Sequence, residues 1–149
     1  MNSLLNEADR DALLRRIETL QPAASRQWGK MNSAQMLAHL CVAMNDATGG
    51  RPAKQSFLGK IVTPLIRSSI FGEKPFGKNA PTDPTYVVSD EHDFAAERLR
   101  LVALINRFAE RGTLGATGQM HPFFGKLTAE EWGKLTWKHI DHHLRQFGV

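Results

Sequence analysis

The histidines are the residues of this sequence whose type and spacing most directly suggest chemistry. The chain has six, and three of them lie close together near its C-terminal end: His139, His142 and His143. Histidines four positions apart on a helix lie one above the other, with Cβ atoms about 5–6 Å apart. A helical wheel turns His139 and His143 towards the apolar side and leaves His142 near the charged side. The rings of His139 and His143 can therefore converge on one ion.

A third inward histidine from a facing helix would complete a site of three nitrogen ligands. His39 is such a residue, because it lies at the edge of the apolar face of an earlier predicted helix. Neutral imidazole binds zinc, nickel, iron and copper. Three protein ligands leave positions open for water or substrate, which is typical of a catalytic metal, whereas a structural zinc usually has four. The one cysteine, Cys41, lies away from His39 on the wheel and is not expected to bind.

The same histidines also have ordinary structural interpretations. A buried histidine is more often a core residue with satisfied hydrogen bonds than a ligand, and the H-x-x-x-H spacing also arises by chance. His121 precedes Pro122 and two phenylalanines, where it either packs in a loop or lines the rim of a pocket. His142 is either solvated or supports a neighbouring ligand. His92 is expected at the surface, where a helix begins.

Two further polar side chains lie near these histidines. Gln146 follows His143 by about one turn, where it either orients a ligand ring or a water molecule, or stays partly exposed. Asp46 either accepts a hydrogen bond from the free ring nitrogen of His39 or is a solvated charge. The candidates for a catalytic role are therefore Gln146, His142 and His121. No P-loop, G-x-G-x-x-G motif or Ser-His-Asp order accompanies them.

Four amphipathic segments must position these residues. Apolar residues recur at helical spacing over about 6–20, 33–47, 90–111 and 129–147. Two of these helices start with the spacing of a capping box, formed by Asn32 with Gln35 and by Thr128 with Glu131. Gly112 is the expected end of the third helix. Each of the three inward histidines thus belongs to a helix whose start is well marked.

The connection 51–86 between the second and third helices is less regular. Its apolar residues predict one short helix, broken near Pro64: Phe57, Ile61, Leu65 and Ile66. Glycines and prolines follow, which predicts a long surface connection that covers the metal site or has another role. No segment alternates at period two, so no sheet is expected. The pattern predicts an all-α fold, a four-helix bundle that forms a single domain over 1–149.

Composition and charge exclude several classes of protein. The chain of 149 residues is 42% hydrophobic and 23% charged, which is typical of a globular domain and not of a disordered or collagen-like chain. No apolar run approaches the length of a membrane span, so no membrane partner is expected. The single cysteine and an N-terminus unlike a signal peptide indicate the cytoplasm. The net charge is +4, but the basic residues are scattered along the sequence, which does not favour nucleic-acid binding.

The C-terminal sequence resembles the last helix of the DinB/YfiT-like metalloenzyme superfamily, and more narrowly an uncharacterised bacterial family within it. The main match is LTAEEW at 127–132, followed by WKHIDHHLRQFG at 137–148. Supporting matches, in the same order along the chain, are WGKM at 28–31, QMLAH at 35–39 and HPFFGKLT at 121–128. The commoner form of the superfamily motif ends in H-x-x-H-H-R-G-Q. In this sequence, Leu144-Arg145-Gln146 follows the histidine pair in place of R-G-Q.

The resemblance implies an up-down-down-up four-helix bundle with one metal ion. Its ligands would be one histidine from the second helix and the H-x-x-x-H pair from the fourth, which here are His39, His139 and His143. Relatives bind zinc, nickel or iron, and several are transferases or isomerases that use a small thiol such as bacillithiol, mycothiol or glutathione. The relatives also imply a homodimer.

The expected function is that of a metal-dependent enzyme with a small-molecule substrate. It would be a thiol-dependent transferase, or a hydrolase in which the metal activates water. The alternative is a non-catalytic, stress-related bundle that binds a metal or a ligand without turnover. A nucleic-acid-binding module is the least favoured. An open coordination position would favour the enzyme, and a fourth protein ligand would favour the binding protein.

Overall fold

A computed structural model describes residues 1–50, 53–79, 82–116 and 119–149 of the chain. The fold is mostly helical, as predicted. In chain order the elements are α1 (Glu7–Thr19), α2 (Ser33–Ala47), α3 (Phe57–Ile70), a 3₁₀ turn (Pro84–Tyr86), α4 (Phe94–Ala116), β1 (Met120–His121), β2 (Gly125–Lys126) and α5 (Ala129–Gln146). None of the described helices is long and apolar enough to cross a membrane.

The helices that carry the inward histidines begin at the predicted capping residues. The Asn32 side chain accepts from the backbone N–H of Gln35, and the Gln35 side chain accepts in return from the N–H of Asn32. Thr128 and Glu131 form the same reciprocal pair at the start of α5. Each capping box satisfies N–H groups that a helix start leaves without a partner. The observed bounds of α2 and α5 agree with the predicted ones within one residue.

Four of the helices pack around a shared apolar core. α2 lies against α4 and α5, α4 also contacts α5, and α1 packs on α5. The largest side chains in this core are fully buried and include Trp132, Phe108, Leu40 and Met44. Because α2 and α5 are in direct contact, polar residues at the edges of their apolar faces come together there.

The connection between α2 and α4 contains a longer helix than the sequence predicted. α3 runs for 14 residues and continues through Pro64, where a break was expected. The proline removes the N–H group that would bond to the carbonyl of Lys60. Both residues are exposed, so water can satisfy that carbonyl and the helix continues. Residues 51–52 and 80–81 of the predicted connection lie outside the described part of the chain.

Helix α4 begins later than predicted, at Phe94 and not near residue 90. The Asp93 side chain accepts from a backbone N–H in the first turn, so it caps the helix at this later point. The helix is interrupted at Gly112, its predicted end. Gly112 has a φ of 53°, a conformation that glycine adopts readily and that is costly for other residues.

A short hairpin precedes α5, where no sheet was expected. β1 and β2 pair antiparallel over two residues each, with His121 opposite Gly125. Two residues are too few to produce an alternating pattern in the sequence. Gly125 has a φ of 75°, which allows the tight turn back from β1.

Helix α3 rests on this hairpin through small residues. The Phe123 carbonyl accepts from the Thr63 hydroxyl at 3.1 Å. It also approaches Gly59 so closely that a Cβ atom there would lie 2.2 Å from the carbonyl oxygen. The N–H of Ser56 donates to the Pro122 carbonyl at 2.8 Å. The close packing of α3 against the hairpin therefore requires glycine at position 59.

The C-terminal end of α3 is held by Lys138 of α5. The Lys138 ammonium group donates to the carbonyls of Ser69, Ile70 and Gly72 at 2.9–3.1 Å, and the residue is only 5% exposed. The end of a helix leaves such carbonyls without a partner, and a cation there also interacts favourably with the helix dipole. Lys138 directly precedes His139, so one turn of α5 both fixes α3 and carries a candidate ligand.

We predict that Lys138→Met loosens the end of α3 and leaves the other helices folded. Removing a buried charged donor should lower the free energy of unfolding by about 2 kcal/mol and speed amide hydrogen exchange over 67–72. Lys134→Met, the same change one turn earlier on α5, is the matched control. Equal exchange over 67–72 in the two variants, measured by mass spectrometry, would contradict the role assigned to Lys138.

Candidate metal centre

His39, His139 and His143 lie together where α2 meets α5. The ring centre of His39 is 4.8 Å from that of His143, and the ring centre of His139 is 4.9 Å from both. The Nε2 atoms of His39 and His139 are 3.0 Å apart, and one nitrogen of each ring lies within 4.8 Å of the others. These separations let three imidazoles reach one ion, since metal–nitrogen bonds are about 2.0–2.1 Å long.

The backbone of the 3₁₀ turn orients the ring of His39. Nδ1 of His39 donates to the Tyr86 carbonyl at 2.8 Å. A carbonyl oxygen only accepts, so the proton of neutral His39 lies on Nδ1 and the lone pair on Nε2 points towards the other two histidines. Tyr86 is held in turn by its hydroxyl, which donates to the Asp46 carboxylate at 2.6 Å.

Asp46 has neither of the two roles considered for it. The sequence left open a direct bond to His39 or a solvated charge. The Tyr86 carbonyl is the partner of that ring nitrogen, and Asp46 is only 2% exposed. Asp46 follows His39 by two helical turns, which is about 10 Å along the axis, too far for its short side chain to reach the ring. The carboxylate therefore acts on His39 through Tyr86.

Two successive hydrogen bonds orient the ring of His143. Nε2 of Gln146 donates to the Trp28 carbonyl at 2.6 Å, which leaves Oε1 of Gln146 at 2.7 Å from Nδ1 of His143. Because Oε1 accepts, the His143 proton lies on Nδ1 and the Nε2 lone pair faces the cluster. Of the roles considered for Gln146, orientation of a ligand ring is the one this geometry supports. It is a positioning residue.

Gly29 makes room for the Gln146 amide. It has a φ of 79°, and a Cβ atom there would lie 2.5 Å from Nε2 of Gln146. Both the backbone conformation and the close approach favour glycine. Trp28 therefore supports the centre through its backbone carbonyl, and Gly29 supports it by leaving space for the Gln146 amide.

Burial keeps the three imidazoles neutral. It lowers the pKa of His143 from 6.5 to about 3, with His39 nearby adding to the shift. Burial also lowers the pKa of His39, and it lowers that of His139 well below its usual value, where the adjacent His143 contributes as well. Neutral imidazole is the form that binds metals, so these ligands have no proton to lose at neutral pH.

The cluster fits a late first-row transition metal. It offers three neutral nitrogen donors, and the described residues add no fourth histidine, cysteine or carboxylate to the group. The Nε2 atoms of His39 and His139 face each other at hydrogen-bonding distance, so a cation or a proton is needed between them. His139 is partly exposed, whereas His39 and His143 are buried.

His142 lies beside the cluster and is not a member of it. Its ring packs against those of His143, Trp28 and Phe76 at centre-to-centre distances of 5.1–6.0 Å. It lines a cavity of about 110 Å³ with Trp28 and Phe76, and burial lowers its pKa. These contacts favour support of His143 over a solvated position.

His121 belongs to the hairpin. Its Nδ1 accepts from the backbone N–H groups of Phe123 and Phe124, which closes the turn between β1 and β2. Its ring also lies 5.9 Å from that of Tyr86 and 5.3 Å from that of Trp132. The loop-packing interpretation therefore describes His121 better than a pocket rim, and its ring helps to place Tyr86.

Cys41 and His92 are not part of the cluster, as expected. The buried Cys41 thiol donates to the Glu97 carbonyl at 3.5 Å, and burial raises its pKa to about 12, so no thiolate is available at neutral pH. His92 hydrogen-bonds to Glu97 and Asp90 at the start of α4, and these bonds raise its pKa, with Glu97 contributing most.

We predict that Gly29→Ala weakens metal binding without altering any ligand. The added Cβ should displace the Gln146 amide and release the His143 ring, and loss of such a supporting bond typically costs about 10–100-fold in metal affinity. Gly77→Ala is the control, because a Cβ atom at Gly77 would have no atom within 4 Å. Titration with zinc measures both variants. Wild-type affinity in folded Gly29→Ala would contradict the role assigned to Gln146.

Comparison with known protein families finds one match, which covers nearly the whole chain. A protein-family model described as a protein of unknown function (DUF1569) matches residues 2–148, a span that contains the three clustered histidines, Gln146 and the Trp28-Gly29 pair. No curated protein and no solved structure matches the chain. The chain belongs to the DUF1569 family.

Proposed function

We propose that this protein is a metal-dependent enzyme of the DinB/YfiT type that acts on a small organic substrate. Its ligands would be His39, His139 and His143, around one zinc, nickel or iron ion. The observation that carries the proposal is the fixed direction of the lone pairs: hydrogen bonds hold the protons of His39 and His143 on the outward nitrogens. The packing of α1, α2, α4 and α5, with a long connection before α4, is in keeping with an up-down-down-up bundle.

A divalent ion held there would supply Lewis acidity, which lowers the pKa of a coordinating water molecule or thiol. The residues of the chain would orient the ligand rings and restrict the access of water. Tyr86 and Gln146 prevent the rings of His39 and His143 from turning and presenting an N–H to the centre. Burial of these two rings restricts water on their side, and the partly exposed His139 marks the side from which substrate enters.

A catalytic metal is favoured over a structural one by two features of the donor set. Three protein ligands leave coordination positions open, whereas structural sites usually close with four. His139 is the partly exposed member of the three, and an external molecule would reach those positions from its side. Transfer of a small thiol and activation of water both suit such a centre. The non-catalytic alternative has the same ligands and differs only in the lack of turnover.

We predict that His139→Ala and His143→Ala each lower zinc affinity by more than about a hundredfold, because loss of a supporting residue alone costs about 10–100-fold. The helical circular-dichroism spectrum should stay unchanged. His92→Ala, which removes a histidine outside the cluster, should bind like the wild type. Calorimetric titration of protein without a histidine tag tests this with zinc, nickel and iron. Wild-type affinity in both cluster variants would refute the ligand assignment.

Cobalt-loaded protein distinguishes the chemistries that share these ligands. A small thiol such as glutathione should produce sulfur-to-cobalt charge-transfer absorption in the wild type and none in His139→Ala. Metal-dependent hydrolysis of small esters or amides without that absorption would favour the hydrolase. Neither thiol binding nor turnover in metal-loaded protein would contradict the enzyme and leave a metal-binding bundle.

A further inference from the structure

The outer face of α3 is strongly apolar. Phe57 and Leu65 are each 79% exposed, Leu58 is 62% exposed and Ile61 is 54% exposed. Their spacing along the helix places these four side chains on one side of it. Soluble proteins rarely expose a contiguous cluster of large apolar side chains, and such a cluster marks an interaction surface.

The inner face of α3 shows why the apolar side chains point outward. The residues that meet the hairpin are Gly59 and Thr63, and the Phe123 carbonyl lies where a larger side chain at Gly59 would stand. Lys138 binds the C-terminal carbonyls of the helix and fixes its end. The helix is therefore attached through backbone and small polar groups, which keeps its large side chains free for another contact.

The charge of the protein is concentrated in the same connection. In the sequence, residues 48–82 contain six basic residues and one acidic residue, a net charge of +5, whereas the rest of the chain contains 13 basic and 14 acidic residues. One of the six, Arg67, is paired with Glu131 of α5. Lys54 and Lys60 are exposed and lie near the apolar residues in the sequence, and no acidic residue occurs between Asp46 and Glu73. A partner of this surface must therefore be both apolar and anionic.

We propose that the outer face of α3 binds the surface of an anionic lipid bilayer. A helix in this position lies in the plane of the interface, with its apolar side chains among the acyl chains and its lysines at the phosphate headgroups. Basic residues near an anionic leaflet are attracted to it, so Lys54 and Lys60 add to the apolar contact. This surface binding needs no spanning helix and is independent of the metal centre.

Two other occupants fit the surface less well. A second copy of the chain would bring two cationic faces together, and one short helix offers little area for a stable dimer. A nucleic acid would need the cations at the centre of the patch, where Phe57, Ile61 and Leu65 stand. No membrane partner was expected from the sequence, because the chain has no spanning run. The sequence does not reveal that these apolar residues face outward.

Co-sedimentation of the full chain with lipid vesicles tests the proposal. The wild type should sediment with vesicles of equal parts phosphatidylcholine and phosphatidylserine, less with phosphatidylcholine alone, and less again at high salt. Phe57→Ser with Leu65→Ser should lower the partition coefficient by about tenfold or more, since two large apolar contacts are lost. Leu99→Ser is the matched control, because Leu99 is 72% exposed on α4.

Several results would overturn the proposal. The proposal is wrong if the wild-type protein stays in the supernatant with both kinds of vesicle. It is also wrong if the double variant sediments like the wild type. A wild-type dimer that dissociates in the double variant, without vesicle binding, would assign the face to a second copy. An unchanged helical circular-dichroism spectrum shows that the double variant is folded and keeps this test independent of that of the metal centre.

Discussion

A buried neutral imidazole can bind a metal only if its one proton lies on the nitrogen that faces away from the ion, and that N–H then needs an acceptor. Here the acceptors come from segments far apart in the chain. The Tyr86 carbonyl serves His39, and Gln146, itself fixed by the Trp28 carbonyl, serves His143. The connection before α4 must therefore return to α2, and the segment before α2 must cross the end of α5.

The parts of the centre that the sequence predicted are those encoded by side-chain type and periodicity. α2 and α5 each combine a capping box with an apolar stripe, so the directions of His39, His139 and His143 could be deduced before the structure was known. Tyr86 and Trp28 could not be found in this way, because each acts through a backbone carbonyl that every residue possesses. The role of Asp46 stayed open because a wheel gives the direction of a side chain and not its distance along the axis.

The connection was harder to predict because its structure depends on contacts made elsewhere. α3 continues through Pro64 at a position where both Pro64 and Lys60 are exposed, which the local sequence does not reveal. Gly59 lets the hairpin pack closely against α3 because it has no side chain. Lys138, a residue of α5, hydrogen-bonds to a carbonyl at the C-terminal end of α3. These attachments place the apolar, cationic face of α3 on an element tied to the same helix as His139 and His143.

The most direct test of the metal centre is anomalous diffraction from crystals of zinc-loaded, tag-free protein at the zinc absorption edge. We expect one strong anomalous-difference peak about 2.0–2.1 Å from the Nε2 atoms of His39, His139 and His143. Gln146 and the Tyr86 carbonyl should still accept from the Nδ1 atoms of His143 and His39. A peak that lies on other residues, a ligand bound through Nδ1, or the lack of any peak between the three rings would contradict this expectation.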